Sequence, residues 1–171
     1  MQLLHAREST MSLFRPMLRS FGITDQQWRV IRVLASCETI GAFELSQQSM
    51  ILPPSLTRIL KNLEKEGFVS RSTDLADQRK LLLSVTPKGR RKYDQVVPES
   101  EKIYRSLEAK IGKVELNDFL NQLVALNTKL MDWEGDPGTG DIDETGSKPI
   151  TSASLNPFVQ QHHVDSLLRG A

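Results

Sequence analysis

Cations are the side chains whose number and spacing in this chain most clearly indicate a chemistry. Residues 58–92 contain ten Lys or Arg and four Asp or Glu, a net charge of +6, although the formal net charge of the whole chain is +1. A basic patch within a nearly neutral chain is typical of a surface that binds nucleic acid. The cations alone would also fit a solvated surface, so the elements that hold them must decide between the two interpretations.

A helix is predicted at the start of this stretch. Pro53 and Pro54 suit the first turn of a helix and Gly67 suits its end, so we expect a helix over 54–66. One of its faces is apolar, and the others carry hydroxyls, an amide and cations, which are the groups that contact base edges and phosphates in a DNA major groove. The residues that we expect to do so are Ser55, Thr57, Arg58 and Lys61.

Two short β-prone runs follow this helix. Residues 68–70 and 81–85 flank a polar, charged segment, a pattern that predicts a β-hairpin with a charged tip. Thr86 followed by Pro87 is typical of the start of another helix. The order helix, hairpin, helix is that of a winged helix-turn-helix, and it favours DNA binding over a merely solvated surface.

The hairpin and the next helix start also carry a recognisable motif. The run DQRKLLLSVTPKG at 77–89 resembles the wing of the MarR family of bacterial transcriptional regulators, with D-x-R, alternating apolar residues and T-x-x-G. Residues 56–58 and 63–69 are similar to that family's recognition helix and its exit. The resemblance covers about residues 3–134. Residues 24–32 are similar to the subgroup that regulates homoprotocatechuate and related aromatic-acid catabolism.

The resemblance implies a fold and a mode of action. The fold would be mainly α with a small β-hairpin wing, a winged helix-turn-helix joined to a helical dimerisation region. A homodimer would place two recognition helices in successive major grooves of a pseudo-palindromic operator. Arg79 would enter the minor groove, oriented by Asp77, while Lys80 would contact phosphate. The implied function is a ligand-responsive repressor of an aromatic-acid catabolic operon.

Trp28 and Arg32 are candidate effector-binding residues. They lie four residues apart in a helix predicted over 25–36, where Thr24 is the expected cap, and an indole beside a guanidinium suits an aromatic carboxylate. A core tryptophan beside a structural arginine would show the same spacing. In the subgroup, however, this tryptophan and arginine are associated with the effector pocket together with a tyrosine, which Tyr104 matches. An aromatic carboxylic acid is therefore the implied effector. Met11 and Phe14 would either form the apolar wall of its pocket or belong to the core of the dimer.

Two further helices precede the recognition helix. Residues 2–20 show an apolar stripe that predicts a helix ending near Gly22. Residues 42–49 predict a short helix, the first of the helix-turn-helix, with Phe43 and Leu45 facing inward.

Two long helices are expected after the hairpin. Residues 87–110 predict one helix with a kink or break at Pro98, and Gly112 ends it. Residues 113–134 carry apolar side chains at alternating steps of three and four, a pattern typical of a seam between helices. Packing within one chain is the alternative, but the first, fifth and sixth helices pair across a twofold axis in the family, which favours dimerisation.

The sequence predicts one folded domain and a tail. The domain covers 1–134, with dimerisation helices at about 2–21 and 87–134 and a DNA-binding lobe at about 40–86. Residues 135–171 are rich in Gly, Pro, Ser, Thr and acids and predict a disordered polar tail. No apolar run reaches the roughly 18 residues that span a bilayer, so we expect no membrane partner and a cytoplasmic, nucleoid-associated protein.

The remaining candidate residues give little support for a redox, metal-binding or catalytic site. Cys37 is the only cysteine, so no intrachain disulfide is expected, and redox regulation through this thiol is an alternative to effector control. His162 and His163 lack partners at ligand spacing, so we expect no metal and no cofactor. The usual enzyme motifs are absent, and we expect no enzyme. A winged helix that contacts only proteins is the other alternative, and weak salt dependence of DNA binding would indicate it.

Overall fold

The computed structural model describes residues 1–73 and 81–131. Two compact units divide these residues, one containing 1–105 and the other 106–131. The elements in chain order are α1 (Gln2–Ser20), α2 (Asp25–Ala35), β1 (Ile40–Gly41), α3 (Ala42–Ser49), α4 (Pro53–Lys65), β2 (Val69–Thr73), β3 (Leu81–Val85), α5 (Pro87–Ile111) and α6 (Lys113–Met131). The fold is thus mainly helical with one small sheet, as predicted.

The sheet has three antiparallel strands in the order β1, β3, β2. Val69 pairs with Val85 at one end of the β2–β3 ladder and Thr73 pairs with Leu81 at the other. This confirms the predicted hairpin and the bounds of its second strand, whereas the first strand, predicted over 68–70, continues to Thr73. Ile40 pairs with Leu83 and adds β1 as a third strand. The sequence did not predict β1, because two residues are too short to show the alternation of a strand.

The predicted cap of α2 is confirmed. The hydroxyl oxygen of Thr24 accepts a hydrogen bond from the backbone N–H of Gln27 at 3.1 Å, and the backbone N–H of Thr24 donates to Oε1 of Gln27 at 2.8 Å. Two N–H groups that a bare helix end would leave without a partner are thereby satisfied. This capping box fixes where α2 begins, and with it the positions of Trp28, Arg29 and Arg32.

Gly67 ends α4, as expected. Its φ of 74° lies in the left-handed region that glycine adopts without strain. The N–H of Phe68 donates to the carbonyl of Leu63 at 2.8 Å, and that of Gly67 donates to the carbonyl of Glu64 at 2.9 Å. This pair of bonds is a Schellman motif, which satisfies the last carbonyls of the helix and directs the chain into β2.

The T-x-x-G sequence joins the start of α5 to the end of α4. The Thr86 hydroxyl donates to the carbonyl of Gly67 at 2.7 Å and accepts from the N–H of Gly89 at 3.0 Å. A Cβ on Gly89 would lie only 2.1 Å from the carbonyl oxygen of Phe68. Glycine is therefore required at 89 by close approach of the backbone, whereas its φ is ordinary.

The main core of the described residues is built by α2, α3, α4 and β3. Ile31, Leu34, Leu63 and Leu83 are almost completely buried in it. Leu45 is also buried, as predicted, but Phe43 is 63% exposed and the prediction that it faces inward is wrong. Residues two apart on a helix point to different sides, so only one of the pair could face the core.

α5 contains Pro98 in its interior and nevertheless runs from Pro87 to Ile111 as one helix. A single proline removes one hydrogen bond of the helix, and the turns on either side retain theirs, so the predicted break is wrong and the predicted kink stays a prediction. Gly112, at φ 101°, follows the last residue of α5 as predicted. Among the helices described, none is long and apolar enough to cross a membrane.

Candidate DNA-binding surface and effector pocket

α4 presents a cationic stripe on the side opposite the core. Its apolar face, Leu56, Ile59, Leu60 and Leu63, is buried. At 100° per residue, Pro54, Arg58, Lys61 and Lys65 lie on the opposite side at spacings of four, three and four residues, and all four are exposed. We call these four residues the outward stripe. Cations that project together in this way can contact the phosphates of one DNA groove.

The two predicted hydroxyl residues lie at the edges of this stripe. Thr57 is exposed, and its hydroxyl donates to the carbonyl of Pro53 at 3.0 Å. Ser55 is half-buried on the other flank, about 100° around the helix from Pro54. The structure therefore brings Arg58 and Lys61 together on one surface and sets Ser55 apart from them. Contact of all four with DNA stays a prediction.

The base of the wing is tied to α4. Arg71 of β2 forms an ion pair with Glu64 of α4, and the hydroxyls of Ser70 and Ser84 share a hydrogen bond of 2.9 Å across the two strands. The predicted wing residues Asp77, Arg79 and Lys80 lie outside the described residues. Their roles therefore stay predictions.

Arg29 of α2 holds the turn that leads into α4. Its Nη1 donates to the carbonyl oxygens of Ser49 at 3.0 Å and Met50 at 3.1 Å, at the end of α3. Desolvation by burial lowers the pKa of this guanidinium. Sequence reasoning missed Arg29, because its partners are 20 and 21 residues away and no local pattern marks them. The contact connects α2, the helix that carries the predicted effector residues Trp28 and Arg32, directly to the helix-turn-helix.

Two lysines in the first turns of α5 contact the ends of other helices. Lys88 Nζ donates to the carbonyl of Glu66, after α4, at 2.6 Å, and Lys92 Nζ donates to the carbonyl of Phe21, after α1, at 3.1 Å. Both ammonium groups also lie over the Phe68 ring, at 5.1 and 5.8 Å from its centroid. Cations are favourable at these positions because the C-terminal end of a helix carries partial negative charge.

Trp28 and Arg32 meet around a residue that the sequence analysis did not select. Trp28 is buried and stacks on Tyr93 of α5, with ring centroids 5.5 Å apart and an angle of 26°. Burial raises the pKa of the Tyr93 hydroxyl, and the charge of Arg32 acts to lower it, so the two groups are close enough to interact. Arg90 lies over the same ring at 5.6 Å.

Phe14 and Tyr104 form a second aromatic pair. Their ring centroids are 4.9 Å apart. Phe14 is buried, Met11 is half-buried, and Tyr104 is 49% exposed. Four of the five predicted effector residues therefore lie in two groups, Trp28 with Arg32 and Phe14 with Tyr104, and the position of Met11 in the pocket stays a prediction.

The spacing along α5 relates these two groups to each other. Tyr93 and Tyr104 are eleven residues apart, which is about three helical turns or 16 Å, so both rings lie on the same face of α5. That spacing was the signal that could have identified Tyr93 from the sequence.

A small surface pocket lies near the start of α2. It has a volume of about 200 Å³ and is lined by Arg15, Leu18, Arg19, Ile23, Thr24 and Asp25. None of the predicted effector residues lines it, and Arg15 is already paired with Glu8. This pocket therefore gives no support to the predicted set.

Cys37 lacks the surroundings of a reactive thiol. It is half-buried, and its Sγ contacts the carbonyl of Val33 at 3.4 Å. Burial, followed by the charge of Glu44, raises the pKa of this thiol and so disfavours the reactive thiolate. Within residues 1–73 and 81–131, no three or more His, Cys, Asp or Glu side chains lie together in a group that could hold a metal ion.

These features define a class of protein. α3, the turn at 50–52 and α4 form a helix-turn-helix, and the β2–β3 pair beside it is the base of a wing, which together make a winged helix-turn-helix. The MarR family model matches residues 23–81, and the relatives below share 38–40% identity with most of the chain. The chain belongs to the MarR family, and both the predicted family and the predicted fold class are confirmed.

Two regulators of the same family are similar to most of this chain. The homoprotocatechuate degradative operon repressor of Escherichia coli is 38% identical over 138 residues, which cover 78% of this chain and 93% of the relative. The regulator FarR of Neisseria gonorrhoeae is 40% identical, with coverage of 75% and 90%. These are names of regulators, and the prediction that the chain is not an enzyme is confirmed.

A solved structure gives a third comparison. The crystal structure of NadR in complex with 4-hydroxyphenylacetate matches with a TM-score of 0.65 and 40% identity, over 73% of this chain and 89% of that one. The similarity thus covers most of this chain and most of the solved one.

Proposed function

We propose that this chain is a DNA-binding repressor of an aromatic-acid catabolic operon and that an aromatic acid releases it from DNA. The observation that carries the proposal is the outward stripe, in which Arg58, Lys61 and Lys65 project from the second helix of a helix-turn-helix. The name of the Escherichia coli relative, a degradative operon repressor, supports the regulatory role. Such a protein would work in the cytoplasm, on the nucleoid.

The DNA partner is a double-stranded, pseudo-palindromic operator. Arg58 and Lys61 contact base edges and phosphates in the major groove, with Ser55 and Thr57 at the flanks. In the wing, Arg79 enters the minor groove, Asp77 orients it, and Lys80 contacts phosphate.

A homodimer completes the binding unit. Two recognition helices reach successive major grooves when they are about 34–36 Å apart. In support, α6 exposes Phe119, Val124, Leu126 and Leu130, and the first turns of α1 expose Leu3 and Leu4. A second copy of the chain would cover these apolar side chains.

The effector is a small aromatic carboxylic acid. Arg32 pairs with its carboxylate, Trp28 and Tyr104 contact its ring or hydroxyl, and Met11 and Phe14 form the apolar wall. NadR was crystallised with such an acid, 4-hydroxyphenylacetate. For the acid to release DNA, it must bind the two conformations of the dimer with different affinities.

The DNA-binding role is tested with the full chain and duplexes selected from a random pool. Binding should weaken steeply with salt, because phosphate neutralisation releases counterions. Lys61→Ala should weaken binding to every duplex and reduce the salt slope by about one per contact, whereas Lys129→Ala, an exposed cation on α6, should change neither. A wild-type protein that binds no duplex, or binds without salt dependence, would favour the protein-contact alternative.

The wing is tested by Arg79→Ala on the same selected duplex. Loss of a minor-groove arginine should cost on the order of 1–3 kcal/mol of binding free energy. Unchanged affinity in a gel-shift titration would remove the wing from the proposal.

The effector role is tested with 4-hydroxyphenylacetate and a panel of related acids. An effector should raise the melting temperature and release the duplex in the same concentration range. Arg32→Met should lose both responses, while Arg91→Met, at an exposed position of α5, should keep the melting response. If no acid in the panel shifts melting or releases DNA, effector control by this class is wrong.

A further inference from the structure

Met50, Leu52, Pro53 and Pro54 form an exposed apolar patch that overlaps the outward stripe at Pro54. The apolar side chains of this patch have no role in the proposal above. Met50 is 69% exposed and Leu52 is 77% exposed, and Pro53 and Pro54 are exposed after them. Large apolar side chains with this exposure lie directly before and within the helix that carries the DNA-contacting cations. A partner that buries this patch favourably must therefore present an apolar group of its own.

Hydrogen-bonding capacity is low on this part of the surface. Pro53 and Pro54 have no backbone N–H, and the N–H of Leu56 is already bonded to the carbonyl of Leu52 at 2.9 Å. The Thr57 hydroxyl donates its proton to the carbonyl of Pro53. A phosphate or a base edge rich in acceptors would therefore find few donors at Leu52, Pro53 and Pro54 themselves, and the next donor, Ser55, is half-buried on the flank of the helix.

The patch and the cations form one continuous surface. Pro54 is the first member of the outward stripe, and Arg58, Lys61 and Lys65 follow it along the same side of α4. Because these cations are attracted to phosphates, DNA that binds them would also lie against Leu52, Pro53 and Pro54. In a helix-turn-helix the first residues of the second helix lie against base edges in the major groove.

One apolar group is available in that groove, the 5-methyl of thymine. We propose that Leu52 and Pro54 read thymine 5-methyl groups in each half-site by apolar contact. This inference rests on the proposed DNA-binding function and deepens it, because it names the base feature that this end of α4 recognises. The cations then supply affinity on any duplex, and Leu52 and Pro54 supply part of the sequence preference.

The test removes single methyl groups from the DNA. The duplex selected with the full chain is resynthesised with dU in place of dT, one symmetric pair of positions at a time. Burial of one methyl group contributes about 0.8 kcal/mol, so at one or two pairs of positions the dU duplex should bind about fourfold more weakly per half-site. Leu52→Ala or Pro54→Ala should abolish that difference at its own position.

Controls separate this inference from the function on which it rests. Leu52 is exposed, so Leu52→Ala should leave the melting temperature unchanged, and Lys61→Ala should weaken the dT and dU duplexes by the same factor. If every dU duplex binds like its dT counterpart while salt dependence is retained, the inference is wrong and the DNA-binding function stands. Equal weakening of dT and dU duplexes by both Leu52→Ala and Pro54→Ala would also overturn it. Absence of binding to any duplex would refute the DNA-binding function itself.

Discussion

At the scale of single residues, Gly89 is a position where the neighbouring backbone leaves no room for a side chain. Its amide is bonded to the Thr86 hydroxyl, and the carbonyl of Phe68 occupies the space that a side chain would need. The threonine and the glycine of the T-x-x-G sequence thus have one physical explanation: the hydroxyl joins two chain segments that only glycine allows to come this close.

Gly89→Ala should therefore destabilise the protein. A methyl group placed 2.1 Å from a backbone oxygen forces the segments apart, which we expect to cost on the order of 1–3 kcal/mol in urea unfolding. Gly41→Ala is the matched control, because nothing lies within 4 Å of its Cβ position; its cost as a helix cap should stay below about 1 kcal/mol. Equal losses for the two variants would contradict the packing argument.

Cys37 allows a second test at this scale. Because burial raises the pKa of its thiol, the thiolate fraction at pH 8 should be smaller in the folded protein than in the unfolded one. Alkylation by iodoacetamide, followed by mass spectrometry, should be several-fold slower in buffer than in urea. Faster reaction in the folded protein would revive redox regulation through this residue.

At the scale of elements, three cations hold the ends of three helices. Lys92 contacts the end of α1, Arg29 the end of α3 and Lys88 the end of α4. Each donates to carbonyls that a helix end leaves without an intrahelical partner. Arg29 has the additional property that it comes from α2, next to Trp28, so the predicted effector helix and the turn before α4 are in direct contact.

Arg29→Met tests the strength of that contact. Methionine retains much of the side-chain volume but cannot donate to the carbonyls of Ser49 and Met50, so unfolding free energy should fall by about 1–3 kcal/mol. Arg91→Met, at an exposed position of α5, should change it by less than about 0.5 kcal/mol. A stable Arg29→Met protein with unchanged DNA affinity would show that this arginine does not hold the turn.

The helices and strands also show which features could be predicted from the sequence. The cap at Thr24, the stop at Gly67 and strand β3 were predicted because each is encoded by a few neighbouring residues. Arg29 was missed because its partners are distant in the chain and no local pattern marks them. The spacing from Tyr104 marked the position of Tyr93, but no spacing marks its contact with Trp28, which is distant in the chain. For the same reason the predicted effector residues could be selected individually, while their arrangement in two aromatic groups required the structure.

At the scale of the whole molecule, α6 is a helix without a buried side. None of the α6 side chains described is buried, and Phe119 is 46% exposed. Apolar side chains that recur at steps of three and four are stable in water when another helix covers them. This favours the homodimer that the proposed function requires.

Phe119→Glu should weaken that dimer. A carboxylate in a helix seam is desolvated and repels its twofold copy, so the variant should sediment as a monomer at micromolar concentration, at which the wild type sediments as a dimer. Asn121→Glu adds the same charge to the opposite side of α6 and should remain dimeric. If both variants sediment like the wild type, α6 is not part of the dimer contact.

The first two turns of α5 have a consequence for how such a regulator can change over time. Residues 88–93 include the lysines that fasten two neighbouring helices and the tyrosine that stacks on Trp28. If the proposed effector contacts this segment, a mutation that changes which acid is bound should therefore also change the affinity for DNA when no acid is present. Related proteins that respond to a different inducer because of changes in this segment should therefore also differ in how strongly the operon is expressed without inducer.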